Sequence, residues 1–354
     1  VKSDTTPFPI AKDLPPVRSG AMNIGPYVQI YFLVSAILMA AFHVRSEAFV
    51  TFSLIFCAIV LEALPFMLLG TMLGGFVEVF VSREQLLRVL PKEKQQAVVV
   101  SAFLGILFPV CECAIVPVVR KFIQKGMPLG SAVAFLLAGP IVNPLVFSST
   151  LVAYSFAWEV AFIRVFAGVW IAMIIGLIID TFVSKEEALV PFFNAAAFGC
   201  GHAGCSHDHG STATGSFVEK IRAALVHGAV DFYDIGRFLI IGAFVAAALQ
   251  TLVPRQAIMS VAQGPVAAIL VMMGLAVVLN LCSEADAFIA ASFQPIGISF
   301  SAQMAFMVLG PMLDIKLVLM YLGVFTRKMI LLLVFLVCVS VFLAMAVLEL
   351  LQWV

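Results

Sequence analysis

Cys111-Glu112-Cys113-Ala114, running on to Ala138-Gly139-Pro140-Ile141-Val142-Asn143, is spelled again as Cys282-Ser283-Glu284-Ala285-Asp286, running on to Leu309-Gly310-Pro311-Met312-Leu313-Asp314. The stretches align without a gap at an offset of 171 residues (282 minus 111). Cys111 falls on Cys282, Ala114 on Ala285, Phe122 on Phe293, Phe135 on Phe306, Gly139-Pro140 on Gly310-Pro311 and Asn143 on Asp314. Thiols, acids and helix breakers duplicated inside apolar sequence point to a site built between two repeats.

The surrounding composition sets the class. Hydrophobic residues make up 63% of the 354-residue chain and charged residues 11%, where a soluble domain carries about 25% charge. Several apolar runs reach the roughly 20 residues that cross a bilayer as a helix, without the alternation of an outer-membrane barrel. The fold class expected is therefore an all-α polytopic membrane protein. Seven cysteines in no secreted-scaffold pattern argue against a disulfide framework.

Five regions follow from the apolar pattern. Residues 1–22 form a polar tail without the apolar core of a signal peptide, expected in the cytosol. Residues 23–48 hold one extra transmembrane helix. Residues 49–183 form repeat 1, 184–228 a cytosolic linker rich in His and Cys, and 229–354 repeat 2. The match extends upstream, with Leu61-Glu62-Ala63-Leu64-Pro65-Phe66 over Tyr233-Asp234-Ile235-Gly236-Arg237-Phe238 and Gly70 over Gly242.

Positive charge selects the topology. If every apolar segment crossed, the basic loops around Arg83–Lys94 and Arg120–Lys125 would lie on opposite sides, against the positive-inside bias. If 97–123 instead dips in from the cytosol and returns, and 265–293 does so from outside, fifteen of twenty Lys and Arg fall on the cytosolic side. The expectation is seven spans and two re-entrant helical hairpins, in two inverted-topology repeats, each with a Gly-Pro-broken helix. A chain of nine plain spans is the alternative.

Each hairpin tip then brings exposed backbone to mid-membrane, beside a helix broken near Gly139-Pro140 or Gly310-Pro311. Such backbone is tolerated only within protein or around a wet cavity. The substrate-binding candidates are Cys111, Glu112, Cys113 and Asn143 from one half, and Cys282, Glu284, Asp286 and Asp314 from the other. Thiolates favour soft species such as Cu(I), Zn(II) or trivalent arsenic. Intramembrane acids mark pathways, which makes Glu62, Asp234, Glu112 and Glu284 proton-coupling candidates, with Asp286 a further proton carrier. Asp234 can instead pair with Arg237, and buried cysteines are often plain small hydrophobes. Asp314 and Lys316, two apart on one helix, are not expected to face each other.

Phe108-Pro109-Val110-Cys111-Glu112-Cys113-Ala114-Ile115-Val116-Pro117, with Ala138-Gly139-Pro140-Ile141-Val142-Asn143-Pro144, resembles the signature of a bacterial predicted-permease family. The best-described branch of that family exports trivalent organoarsenicals. Leu281-Cys282-Ser283-Glu284-Ala285-Asp286-Ala287-Phe288 resembles its second signature. The resemblance covers the chain from about Phe49 and implies a multi-pass permease of the bacterial cytoplasmic membrane.

The linker carries its own chemistry. Cys200, His202, Cys205, His207, Asp208 and His209 place two thiols, three imidazoles and a carboxylate within ten residues. That density suits Zn, Cu or Ni, although the spacing matches no standard zinc module and a solvated linker is the plain reading. No cofactor is required otherwise.

The sequence thus points to a secondary-active permease, not an enzyme, moving a soft metal, metalloid or thiol-reactive solute, in the export direction and coupled to protons. No G-x-x-x-x-G-K-[ST] motif provides for ATP. Its partners are membrane lipid and a small inorganic or organometalloid solute, without nucleic acid; a homodimer is compatible with the pattern. Two other readings remain open: a thiol-disulfide relay using Cys111 and Cys113, and a non-transporting subunit of a larger exporter.

Overall fold

The computed structural model describes residues 47–80, 82–91, 93–107, 112–189, 217–252 and 264–351. The extra helix expected at 23–48 and the metal candidates of the linker lie outside these residues. So do Cys111 and the side chain of Asp234.

The described chain is helical, and its helices recur in order. The first half contains α1 (Glu47–Phe80), α2 (Arg83–Val89), α3 (Lys94–Leu107), α4 (Glu112–Gln124), α5 (Leu129–Val142), α6 (Pro144–Ala153), α7 (Trp158–Phe182) and the short α8 (Lys185–Ala188). The second contains α9 (Phe217–Leu252), α10 (Pro265–Leu279), α11 (Ala285–Ser292), α12 (Phe300–Leu309), α13 (Ile315–Tyr321) and α14 (Arg327–Leu350). Adding 171 to the bounds of α3 gives 265–278, and to those of α5 gives 300–313, so the segmentation follows the sequence repeat.

Helices α1, α7, α9 and α14 are long and apolar enough to cross a membrane, and the bent pair α5–α6 makes a fifth candidate. Their outward faces are apolar, with Leu54, Leu61 and Leu69 on α1 and Phe162, Phe166 and Trp170 on α7 exposed. Apolar surface of that extent needs lipid or another protein against it. The second helix expected to be broken, near Gly310-Pro311, is two short helices, with residues 310–314 in turn and irregular backbone after Leu309. The first helix of the second half begins at Phe217, within the stretch expected to be linker.

The first broken helix differs from expectation. Gly139 and Pro140 remain inside α5, and the break falls at Asn143-Pro144 with a 40° bend. Proline disfavours helical backbone in the residue before it, and Asn143 is accordingly at φ −57°, ψ 128°. Its side-chain oxygen then accepts the Leu145 amide at 3.0 Å and starts α6. The second half has Ile315 in place of Pro144, so its chain breaks at Gly310-Pro311 instead.

Contacts along α5 show how α3 and α4 run. Lys94, at the start of α3, pairs with Asp180 at 3.7 Å, and Gly130 near the start of α5 packs on the same Asp180. At its other end α3 brings Gly105 so close to Gly139 that a Cβ there would lie 2.6 Å from the Gly139 Cα. Ile115 of α4 meets that same Gly139, and the Phe122 ring lies tilted against Phe135 at 5.6 Å. So α3 runs toward Gly139 and α4 runs back: the two are the limbs of a hairpin. In the second half Asp286 lies against Gly310 and Phe293 against Phe306 at 6.4 Å, so α11 runs back along α12 in the same way.

Polar ties place the ends. Lys121 binds Glu78 at 2.6 Å and Asp231 at 2.8 Å, Lys125 donates to the Glu78 carbonyl, and Thr326 donates to the Ala188 carbonyl. These gather the end of α1, the base of the first hairpin, the end of α7 and the starts of α9 and α14 at one end. Among the described residues, every Lys and Arg other than Arg164, Arg237 and Lys316, which lie along the lengths of their helices, belongs to that end. At the far end Tyr154 donates to Gln303 at 2.9 Å and Ser301 to Glu349. The first hairpin therefore opens toward the basic end, while α11 returns toward the far one.

Lys121 is the cation most deeply set in the basal cluster, and Lys121→Met leaves Glu78 and Asp231 without their closest partner. Breaking a buried pair from one side costs about 3–5 kcal/mol. Thermal unfolding in detergent is expected to shift down accordingly, whereas an unchanged midpoint would show the cluster to be dispensable.

Candidate functional site

The two hairpin tips meet in the interior. Glu112 begins α4 from the first tip, and Ser283 lies in the second, 171 residues on. The Ser283 hydroxyl donates to Glu112 Oε2 at 3.0 Å and its backbone amide approaches the same oxygen at 3.4 Å. Glu112 Oε1 pairs with Lys316 Nζ at 3.2 Å. Glu112 is 1% exposed, Lys316 3% and Ser283 fully buried. A charge so placed is sustained only when paired and hydrogen-bonded.

Lys316 also reaches Asp314 Oδ2 at 3.4 Å, against the expectation that these two do not face each other. The reason is local. Asp314 is not helical: at φ −136°, ψ 174° it caps α13, its Oδ1 accepting the Leu317 amide at 2.6 Å. The i, i+2 separation of a helix does not apply there. Asn280, which ends α10 in left-handed backbone at φ 51°, turns its amide nitrogen toward Asp314 at 2.8 and 2.9 Å. Gln250 from α9 covers the final carbonyls of α10, at 3.2 Å to Val278 and 2.7 Å to Leu279.

A second ion pair stands behind the second tip. Arg164, fully buried on α7, donates to Thr150 Oγ1 at 2.8 Å and to the Ser283 carbonyl at 2.9 Å. Asp286 lies 4.0 Å from the same guanidinium. Arg164 thus holds the backbone of the residue that touches Glu112.

A narrow pocket opens on this junction, with room for about one water molecule. It is lined by Glu62 of α1, Glu112 and Cys113 of the first tip, Asn280 and Cys282 of the second, and Lys316. The Cys282 thiol donates to Glu284. Pro65 lies inside α1 one turn beyond Glu62, and its missing N–H leaves the Leu61 carbonyl without its helical donor.

The residues proposed from sequence are distributed as follows. Glu112, Cys113, Cys282 and Asp314 belong to the junction or its pocket; Glu284 lies beside Cys282, and Glu62 at the mouth. Asp286 is set back against Arg164 and Gly310. Asn143 is buried and caps α6. Among the described residues no group of three or more His, Cys, Asp or Glu converges as a metal ion requires. Arg164, Ser283, Asn280 and Thr150 were not singled out from the sequence. Arg164 carried a readable signal, a single arginine within a long apolar helix, which is costly unless used.

Buried charges held between hairpin tips, inside a bundle with apolar outer faces, define a polytopic membrane protein of the transporter class. The chain belongs to the ArsP_1 family of predicted permeases, matching it over residues 48–350. It is 40% identical over 288 residues to the UPF0718 protein YcgR of Bacillus subtilis, covering 81% of this chain and 93% of that one. It is 39% identical over 281 residues to a putative two-component membrane permease complex subunit of Streptococcus mutans, covering 78% and 88%. A shorter match, 28% over 119 residues, joins it to the UPF0718 protein YraQ of Escherichia coli, covering 33% of each chain. No solved structure matches the chain.

Equivalent glycines in the two halves are expected to tolerate alanine unequally. At Gly310 a Cβ would meet Asp286 Oδ2 at 2.6 Å and the Phe306 carbonyl at 3.3 Å. At Gly139 the nearest atom is the tip of the Ile115 side chain, which can turn away. Gly310→Ala should lower the unfolding midpoint by several degrees more than Gly139→Ala, for a difference of about 1–3 kcal/mol. Equal shifts would contradict the packing of Asp286 on Gly310.

Proposed function

We propose that this chain is a secondary-active permease that carries a soft metal, metalloid or thiol-reactive solute through the pocket between its hairpin tips. The observation that carries this reading is the junction itself. Glu112, Lys316 and Asp314 are buried together, and Cys113 and Cys282 line the pocket beside them. Uncompensated, such charges oppose folding, and within membrane proteins they mark solute and proton pathways. Thiols beside carboxylates suit a soft electrophile better than a hard cation.

The repeats are read as inverted in the membrane, with the basic end in the cytosol by the positive-inside rule, and the hairpins as re-entrant. The membrane is then the bacterial cytoplasmic one and the N-terminal tail cytosolic. Alternating access follows from rocking one half against the other about the junction. Protons on the acids of the site couple the cycle to export. The His- and Cys-rich segment Cys200–His209 gathers Zn, Cu or Ni on the cytosolic side and presents it to the pathway or regulates it.

A second reading has one observation in its favour: the Streptococcus mutans relative is described as a subunit of a two-component complex. In that case the pocket is completed or gated by a second polypeptide.

Cells carrying or lacking the protein are to be challenged with Zn, Cu, Co, Ni and trivalent arsenic species, and accumulation measured. At least one solute should accumulate several-fold less in cells carrying the protein. Cys282→Ser and Glu112→Gln should abolish the difference, and deletion of residues 200–209 should alter it for Zn, Cu or Ni alone. Equal accumulation of every solute when the chain is expressed by itself, restored by co-expression of a neighbouring gene product, would favour the two-component reading.

A further inference from the structure

The buried carboxylates of the central site are not held alike. Glu112 accepts from Lys316 and Ser283, and Asp314 from Leu317, Asn280 and Lys316. Asp286 differs. It is 1% exposed, and its Oδ2 has no hydrogen-bond partner although a guanidinium stands 4.0 Å away. The Arg164 Nε facing this interior is equally without a partner. An ionised carboxylate draws such a donor into contact, since charge-assisted hydrogen bonds are short and about twice as strong as neutral ones. At 4.0 Å the pair stops short of a hydrogen bond, so the Asp286 carboxyl stands beside the guanidinium without engaging it.

Arg164 meanwhile directs its two terminal nitrogens elsewhere, Nη1 to Thr150 and Nη2 to the Ser283 carbonyl. Ser283 is the residue through which the second tip grips Glu112 of the first. One guanidinium therefore has two competing sets of partners, and only one set holds the tips together.

We propose that Arg164 is the switching residue of the permease, transferring the charge state of Asp286 to the contact between the two hairpin tips. With Asp286 protonated, Arg164 anchors Ser283 and the tips stay joined. When Asp286 gives its proton to water admitted to the pathway, Arg164 closes on the carboxylate and loosens its hold on the Ser283 carbonyl. The Ser283–Glu112 contact is then free to part. The role of Arg164 is positioning: it acts on the pocket through Ser283. The proposal rests on the proton-coupled reading above and assigns the coupling proton to Asp286 rather than to Glu62 or Glu112.

The other charged groups facing Asp286 set the balance. Arg164 acts on it from α7, Glu112 from α4, Lys316 from α13 and Asp314 from the cap of α13, while Glu284 of its own tip acts on Arg164. Helix α12 presents Gly310 and Phe306 there and α6 presents Thr150, none of them charged. Lys316 is engaged by Glu112 and Asp314, which leaves Arg164 as the cation available to Asp286.

Alkylation of Cys282 in the purified full-length protein reads the tip contact without requiring a known solute. Cys282 is buried at 6% in the second tip, in a pocket too narrow for N-ethylmaleimide, so labelling speeds up when the tips part. Its labelling is followed by peptide mass spectrometry, comparing variants at the same pH so that thiol ionisation cancels. At pH 8.5 the wild type should label several-fold faster than Asp286→Asn, which cannot take a charge; at pH 5.5 the two should match. Thr150→Val, which removes one anchor of Arg164 in a conservative way, should label several-fold faster than the wild type at pH 5.5. Equal labelling of wild type and Asp286→Asn at both pH values would overturn the switch even if solute export were observed. The expected labelling pattern with no solute moved would retain the switch and remove the transport reading.

Discussion

Compensation of buried charge is the constraint on which the structure rests. Lys316 lies between Glu112 and Asp314, carboxylates from the two halves of the chain, with every partner almost wholly removed from solvent. Burying each such ion costs several kcal/mol, and the cost is offset only when partners are close and the remaining valences are filled. Ser283, Asn280 and the Leu317 amide fill them. The arrangement exists only while both tips and α13 are assembled, so the network enforces the meeting of the halves.

From that junction the helices take their roles. Hairpin limbs pack on α5 and α12, and close approach at Gly105 and Gly139 lets the first limb reach the interior. The long helices α1 and α9 pack against each other, and α1 supplies the wall on which the pocket opens. At the basic end Lys121 ties the first hairpin to α1 and α9. The returning limb of the second hairpin ends instead in Phe293–Ser299, which carries no charge. The first hairpin is thus pinned at its base by ions, while the second is held from its tip by Arg164.

Much of this was legible in the sequence, for identifiable reasons. The duplicated Cys-x-x-Ala and Gly-Pro spacing exposed the repeat, and apolar length exposed the long helices. Loop charge exposed which ends belong together, because lysine and arginine gather where they remain solvated. What escaped had local causes. The first helix breaks at Asn143-Pro144 rather than Gly139-Pro140 because proline acts on the residue before it, and Pro140 is accommodated inside α5. Asp314 reaches Lys316 because it is a cap in extended backbone, a conformation no helical spacing anticipates. Ser283 and Thr150 gave no signal, since a hydroxyl becomes a site residue only through what stands opposite. The linker histidines and Cys111 lie outside the described residues.

The central claim is that the two halves meet through ions buried in the interior. A double-mutant cycle between Glu112→Gln and Lys316→Gln, read as unfolding free energy in detergent or lipid nanodiscs, addresses it most directly. Each single change leaves one buried charge without its partner, and the pair removes both. The account predicts a double variant less destabilised than the sum of the singles, by about 0.5–3 kcal/mol. Strict additivity would contradict it, placing Glu112 and Lys316 in separate environments and leaving the tips without the bond that joins them.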